Sequence, residues 1–447
     1  MFSKVLIANR GEIAVRVIRA CRELGVATVA IHSEADRGAL HVRLADEAHA
    51  CGPAPARDSY LVAERVLEIA TRCGADAIHP GYGFLSENGD FADLCEQRGI
   101  RFIGPPGAVI RAMGDKITAR RILAQAGVAV VPGTHEPLAD PDAVDAARAL
   151  GFPVMLKASA GGGGRGLRLA ADEAALVKAL PRARGEAQSA FGDDRVYLEK
   201  ALERPRHIEV QILADAGGRV VQLFERECSI QRRHQKLVEE APALALDAAT
   251  RRAFGEAALR CARAVGYAGA GTVEFLLDAS GAFYFLEMNT RIQVEHAITE
   301  EITGVDLVQA MIRIAAGEPL TLDPRTLAIR GHAIEVRIYA EDPEKGFLPS
   351  PGTIEGLRLP TGPGIRLDCG VAAGDPVSVH YDPLLAKLIV WGNDRGEALE
   401  RLQRALDEFQ IEGLRTTLPF HRWLVRHEAF RAGEIDTGFI AAHWPGR

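Results

Sequence analysis

Cysteine is scarce and unpatterned in this chain. Seven occur in 447 residues, at positions 21, 51, 73, 95, 228, 261 and 369, and none form C-x-x-C. An odd, scattered set of thiols excludes a disulfide framework and a cysteine zinc site, and a reducing, cytoplasmic compartment is expected. No apolar run approaches the length of a membrane span. The first residues, Met1–Arg10, lead directly into a strand and a helix without a signal-peptide pattern, so neither secretion nor a membrane is expected. Positive charge is in deficit, 53 Lys and Arg against 60 Asp and Glu, and the net −7 argues against a general nucleic-acid surface. Any anionic ligand must then be met by local lysines and arginines. Internal repeats and low-complexity segments are lacking. So are two phosphate-binding signatures: the first strand-to-helix loop, Asn9-Arg10-Gly11-Glu12, is not G-x-G-x-x-G, and no glycine run ends in G-K-[ST].

What remains is an ordinary globular balance, 47% hydrophobic and 25% charged, with length for about three domains. Strands at Lys4–Ala8, Thr28–His32, Ala75–Ile78 and Arg101–Ile103 alternate with helices at Arg10–Leu24, Tyr60–Arg72 and Phe91–Arg98. That alternation predicts an α/β fold (α+β overall) opening with a doubly wound parallel sheet to about residue 103. The loops HPGYGFLSEN (His79–Asn88) and IGPP (Ile103–Pro106) are turn-rich, and structural and site-lining roles both stay open. A helical linker near Met113–Ala126 leads to a second unit from about Val128. A third carries helices at Ala249–Val265, Val305–Ala316 and Arg395–Phe409, and an alternating strand, Ala333–Ala340, that projects Arg337.

The most informative stretch is Gly271–His296, GTVEFLLDASGAFYFLEMNTRIQVEH. It reads as two strands, Thr272–Leu277 and Ala282–Asn289, joined by a four-residue turn. That register puts Glu274 opposite Phe285 and diagonal to Glu287, roughly 7–8 Å apart on one face. If the segment stays extended, Glu287, Asn289, Arg291, Gln293 and Glu295 share a face as well. Acids converging from apolar strands are costly unless a cation neutralises them. Hard oxygen ligands without His or Cys suit Mg2+ or Mn2+, often completed by substrate phosphates. The plain alternative, a solvated edge hairpin, accounts for one glutamate but not for five polar groups in register.

A second signal is the strand Pro153–Lys157 followed by Gly161, Gly162, Gly163, Gly164, Arg165 and Gly166, then a strand at Leu167–Leu169, a helix at Asp172–Phe191 and a strand at Val196–Glu199. Bare backbone N–H groups there suit a mobile flap that closes over phosphates. A floppy hairpin is the alternative.

The motifs MGDK (113–116), LKASAGGGGRG (156–166), EKAL (199–202), RHIEVQ (206–211), ERECSIQRRHQK (225–236) and EMNTRIQVEH (287–296) occur in order, with NRGEIA (9–14) and HPGYGFLSEN. Together they resemble the biotin carboxylases of the ATP-grasp superfamily over nearly the whole chain. The resemblance implies an N-terminal domain over 1–113, an ATP-grasp domain over 114–317 with a mobile lid at about 128–201, and a C-terminal mixed α/β domain over 318–447. It implies ATP- and bicarbonate-dependent carboxylation of biotin through carboxyphosphate, with Mg2+ or Mn2+. This is the first half-reaction of an acetyl-CoA carboxylase or of a relative acting on another acyl-CoA. Biotin would arrive on a biotin carboxyl carrier protein, with carboxyltransferase subunits as further partners and a homodimer as the expected assembly.

Carried over residue by residue, Lys116 and Lys157 would pair the nucleotide phosphates, with His207 and Lys236 beside them and the flap glycines above. Glu199, Lys200 and Leu202 fall on the strand that receives adenine, and Gln231 and His234 on ribose and phosphate-side positions. Glu274 and Glu287, with Asn289, would hold the metal. Bicarbonate would lie against Lys236, Arg291, Gln293 and the Val294 backbone. Glu295 would be the general base, and Arg337 would stabilise the enolate-like oxygen of biotin.

Some features depart from the acetyl-CoA form. Ala297 stands where Pro is usual, and VHYDPLLAKLIVW (379–391) resembles carboxylases for branched or other acyl-CoAs. The chain contains no A/V-M-K-M biotin-attachment motif, so a portion of a longer chain and a free-standing subunit both stay open. Cys228, among Arg226, Arg232 and Arg233, has the surroundings of a low-pKa thiol but no triad, and is read as packing or as a support behind the site residues. Arg232 and Arg233 are read as a solvated face or a partner contact. Two other functions compete. Another ATP-grasp ligase would be told apart by indifference to biotin. A silent ATP-binding protein with a regulatory or assembly role has no physical reason to keep Glu274, Glu287, Arg291, Glu295 and Arg337 together.

Overall fold

The computed structural model describes residues 1–138, 142–160 and 167–446. The apolar run Lys4–Ile7 forms the middle of a five-stranded parallel sheet, ordered 47–52, 27–33, 4–7, 77–79, 101–102. Helices Gly11–Glu23, Ala63–Cys73 and Gly89–Gln97 alternate with these strands, as a doubly wound sheet requires. The edge strand Glu47–Gly52 went unpredicted because only one of its six residues is buried, which hides the apolar signature. The helix expected from Tyr60 starts instead at Ala63. Tyr60 is buried outside it, its hydroxyl donating to Asp36 at 2.6 Å.

The first and fourth strands end against each other. Asn9 Nδ2 donates to the carbonyls of Pro80 and Tyr82, both at 2.7 Å. Gly81 between them has φ +62°, and a Cβ there would lie 2.8 Å from Asn9 Nδ2. Only glycine meets both demands. The HPGYGFLSEN loop is thereby pinned, with Glu87 held near the later hairpin.

The expected single linker is two helices, Gly107–Gly114 and Lys116–Gln125, broken at Asp115. Asp115 caps the second by accepting from the Thr118 N–H at 2.8 Å. The lid follows as a three-stranded antiparallel sheet with Val154–Ala158 in the middle, flanked by Arg168–Ala170 and Val196–Lys200. Helices Ala143–Leu150 and Glu173–Phe191 cover it around a separate core that includes Leu138, Leu156, Leu176 and Leu198. The flap glycines Gly161, Gly162, Gly163, Gly164 and Gly166 lie outside the described residues.

The rest is built on one eight-stranded antiparallel sheet, ordered 283–289, 269–277, 206–214, 220–232, 235–241, 332–339, 384–392, 365–369. It runs across residue 317 without interruption. The helix Ala248–Ala264 packs Phe254 and Cys261 onto Ile208, Val210 and Phe275. Helix Arg395–Glu408 packs Leu399, Leu402 and Leu406 beside Ile334, Val336 and Leu388.

The central hairpin differs from expectation in one residue. Its turn is Asp278–Ala282, closed by the Asp278 N–H donating to the Ala282 carbonyl at 2.9 Å. The register shifts between Glu274↔Glu287 and Phe275↔Phe285, leaving Leu286 as the extra residue of a bulge. Glu274 is therefore directly opposite Glu287, not diagonal to it. Extended structure stops at Asn289, and after a turn the helix His296–Thr303 begins. All seven cysteines are unpaired. Among the described residues no helix is long and apolar enough to cross a membrane.

Candidate active site

Glu287, Glu274, Glu209 and Arg226 stand in one register row across four neighbouring strands, so their side chains share a face. The row alone carries three negative charges on a buried surface. A basic side chain answers each. Lys116, in the first turn of its helix, donates to Glu287 at 2.8 Å. His207 Nε2 lies 2.8 Å from Glu274. Arg226 donates to Glu209 at 2.5 Å and to Gln211, Thr272 and Thr299. Lys236 uses its three donors on Glu209 (2.5 Å), Glu274 (2.8 Å) and Glu295 (2.8 Å).

A second cluster adjoins the first. Arg291 donates to Glu87 (2.9 Å), Asn289 Oδ1 (2.8 Å) and Gln293 Oε1 (2.9 Å). Gln293 and Asn289 in turn donate to Glu274, at 3.0 and 2.7 Å. Arg337 donates to Glu295 at 3.0 Å and to Glu239 at 2.7 Å. The alternation expected along 287–295 is broken by the turn, yet the same side chains converge through it. Ala297 occupies the first turn of the helix His296–Thr303, where Pro also fits because the first N–H groups have no intrahelical partner.

Electrostatics follow from burial and pairing. Burial works to raise the Glu295 carboxyl, but Lys236, Arg337 and Arg226 outweigh it and hold it well below the usual carboxylate range. Glu274 is lowered in the same way, by Lys236 and His207 against burial. Burial opposes the Lys236 charge, yet Glu209, Glu274 and Glu295 raise it well above the ordinary lysine value. Burial pushes the Cys228 thiol up, and Glu209 adds to it. This corrects the low-pKa surroundings that its arginine neighbours suggested: Cys228 is a neutral thiol with Sγ 3.9 Å from Glu295.

The other expected residues are spread around this centre. Lys157 is buried against Glu199, which also takes Arg120. Lys200 turns to the carbonyls of Gly151 and Phe152, at 2.8 and 3.0 Å, and Leu202 follows half-buried. Gln231 pairs across the hairpin with Lys236. His234 sits in its turn at φ +66°, its pKa lowered by burial and by nearby Lys157 and His207. Arg232 lies over the Phe347 ring at 4.7 Å and donates to Gly346, so it is not a free solvated side chain.

Four functional-looking residues were missed: Glu87, Glu209, Arg226 and Glu239. Glu209 carried a readable signal, an acid between Ile208 and Val210 on an apolar strand, as for Glu274. Glu87 and Arg226 fall inside the motifs HPGYGFLSEN and ERECSIQRRHQK, which mark the region but not the side chain, and Glu239 gave no signal, its partner Arg337 being 98 positions away. For a divalent cation, Glu274 and Glu287 fit as an opposed carboxylate pair, whereas Asn289 turns its oxygen to Arg291 and its nitrogen to Glu274.

Lys116 of an adjoining helix facing Glu287 on a long antiparallel sheet, and Lys157 facing Glu199 within a separate lid, with no P-loop, are the arrangement of an ATP-grasp ligase. Residues 1–110 match the family described as biotin carboxylase, N-terminal domain. Residues 115–323 match the carbamoyl-phosphate synthase L chain, ATP binding domain, and residues 335–442 the biotin carboxylase C-terminal domain. The chain belongs to the biotin carboxylase family, the ATP-dependent ligases of biotin-dependent carboxylases. It is 56% identical to a pyruvate carboxylase subunit of Methanothermobacter thermautotrophicus, over 98% of this chain and 90% of that one. It is 54% identical to the biotin carboxylase of Halalkalibacterium halodurans, over 99% and 98%. With the alpha subunit of methylcrotonoyl-CoA carboxylase from Rattus norvegicus it shares 52%, over 99% of this chain but 62% of that one. Among solved structures, the biotin carboxylase domain dimer of Hydrogenobacter thermophilus 2-oxoglutarate carboxylase, with MgADP, ADP and bicarbonate, superposes with a TM-score of 0.97. It is 50% identical, over 99% of this chain and 98% of that one.

Proposed function

We propose that this chain carboxylates the biotin of a carrier protein, using ATP and bicarbonate, as the first half-reaction of a larger carboxylase. The observation that carries the reading is Lys236 joining Glu274 to Glu295, with Arg291 and Gln293 on one side and Arg337 on the other. Lys116 and Lys157 would exchange their carboxylate partners for nucleotide phosphates. Glu274 and Glu287 would hold a divalent cation, which neutralises charge on the transferring phosphoryl group. Arg291, Gln293 and Lys236 would orient bicarbonate, and Glu295 would take its proton.

A bicarbonate oxygen then attacks the γ-phosphorus, the bond to the ADP oxygen breaks, and carboxyphosphate forms. Its carboxyl carbon passes to the biotin ureido nitrogen as phosphate leaves, and the departing phosphate takes up that nitrogen's proton. Arg337 would stabilise the negative oxygen that develops on biotin. The ligand-free Glu295 is a weak base while Lys236 and Arg337 clamp it. Bicarbonate drawing Lys236 away would raise its proton affinity when needed.

The carrier, the carboxyltransferase and a homodimer complete the proposed assembly. A relative solved as a domain dimer supports the last. The final acceptor lies among the acids or acyl-CoAs of biotin-dependent carboxylases: acetyl-CoA, or the propionyl, methylcrotonoyl or pyruvate groups in the names of related chains. The test is ADP release with Mg2+, ATP and bicarbonate, with and without free biotin. The reading expects biotin stimulation that requires bicarbonate and falls at least about a hundredfold in Glu295→Gln and Arg337→Ala. Cleavage indifferent to biotin would point to another ATP-grasp ligase.

A further inference from the structure

Lys387 is fully buried on the strand Leu384–Gly392, directly opposite Arg337 on one neighbouring strand and Asp368 on the other. The three side chains therefore rise from one face. Arg337 reaches the Glu295 carboxylate, and Lys387 reaches the same turn one residue earlier, its Nζ donating to the Val294 carbonyl at 2.6 Å. The acids around it stand further off, Glu12 at 3.5 Å and Asp368 at 3.6 Å. A buried ammonium placed only to neutralise acids would sit closest to a carboxylate. This one is closest to a peptide oxygen.

His296 acts on the neighbouring peptide. Its Nδ1 lies 2.7 Å from the Gln293 carbonyl. The carbonyl can only accept, so the imidazole proton is on Nδ1. In a trans peptide the N–H points opposite the C=O. Holding the Gln293 oxygen therefore fixes where the Val294 N–H points. Holding the Val294 oxygen fixes the Glu295 N–H and, with it, the start of the Glu295 side chain.

We propose that Lys387 and His296 are positioning residues for bicarbonate, fixing both peptide units of the Gln293–Val294–Glu295 turn that presents the anion's backbone donor and its base. The proposal rests on the reading of Arg291, Gln293 and Glu295 as the bicarbonate site, and extends it to groups that never touch the substrate.

The test uses the full chain and measures bicarbonate-dependent ATP cleavage without biotin. Lys387→Met and His296→Leu are each expected to raise the KM for bicarbonate about tenfold, the loss of one positioned hydrogen bond, with the KM for ATP within about twofold. His296→Asn keeps a donor near the Nδ1 position and is expected to recover most of the effect. A merely structural role would lower the melting temperature and leave the two KM values in their original ratio. A folded Lys387→Met with unaltered bicarbonate KM overturns the proposal. Should that variant fail to fold, Asp368→Asn/Lys387→Met removes one charge of each sign and carries the same comparison. An unsubstituted chain that needs bicarbonate but ignores biotin sinks the proposed function alone. One whose ATP cleavage ignores bicarbonate sinks both.

Discussion

At the scale of single residues, burial and pairing pull titrations in opposite directions. Glu227 is pushed up to about 7, chiefly by burial, with Arg206 and Ser229 opposing. Its ordinary value is 4.5, so between the two the folded chain keeps a proton that the unfolded chain releases. Stability contributed by that proton is full below the unfolded value and is lost as pH rises toward 7. Glu227→Gln is therefore expected to match the unsubstituted protein near pH 4 and to exceed it by on the order of 3 kcal/mol at pH 8. Urea midpoints across that range check it, and a gap that does not widen with pH would refute it. The acids of the central hairpin were legible because each interrupts an apolar strand. Lys387 was not, although it also interrupts one, since its meaning depends on Val294, 93 positions away.

Among elements, the hairpin shows what sequence periodicity misses. The strands of the 269–289 hairpin were readable, but no pattern announces that Leu286 is unpaired. That single bulge turns a diagonal pair of carboxylates into an opposed one. Asp115 is comparably economical. It caps the helix that presents Lys116, and its other oxygen accepts from Ser159 at 3.1 Å and Arg195 at 2.8 Å, both on the lid. Asp115→Ala is expected to cost about 1 kcal/mol for the cap and to raise the KM for ATP by loosening the lid's attachment. Calorimetry and ATP titration check this; Asp115→Asn, which keeps an acceptor, should show less of both. Equal behaviour of the two variants would discount the cap.

For the whole molecule, the parallel N-terminal sheet was legible from its strand–helix alternation. The continuity of the eight-stranded sheet was not, because its strands come from both sides of residue 317 and pairing between them leaves no local trace. That continuity predicts one cooperative unit for residues 206–392. The lid, with a core of its own, should open separately. Hydrogen exchange is expected to be at least about tenfold faster at the amides of 154–158 and 196–200 than at those of 206–214 and 332–339. Equal protection would show that the lid unfolds only with the rest. The internal pairing of the site has a further meaning. Lys116, Lys157 and Lys236 each face a carboxylate, so the resting site resembles a salt already in its lattice. A lone anion displacing a carboxylate strands it without a counter-ion, and a lone cation strands a lysine. A ligand bringing both signs together, a nucleotide with its divalent cation, would complete the exchange, each lysine taking a phosphate and each carboxylate the cation.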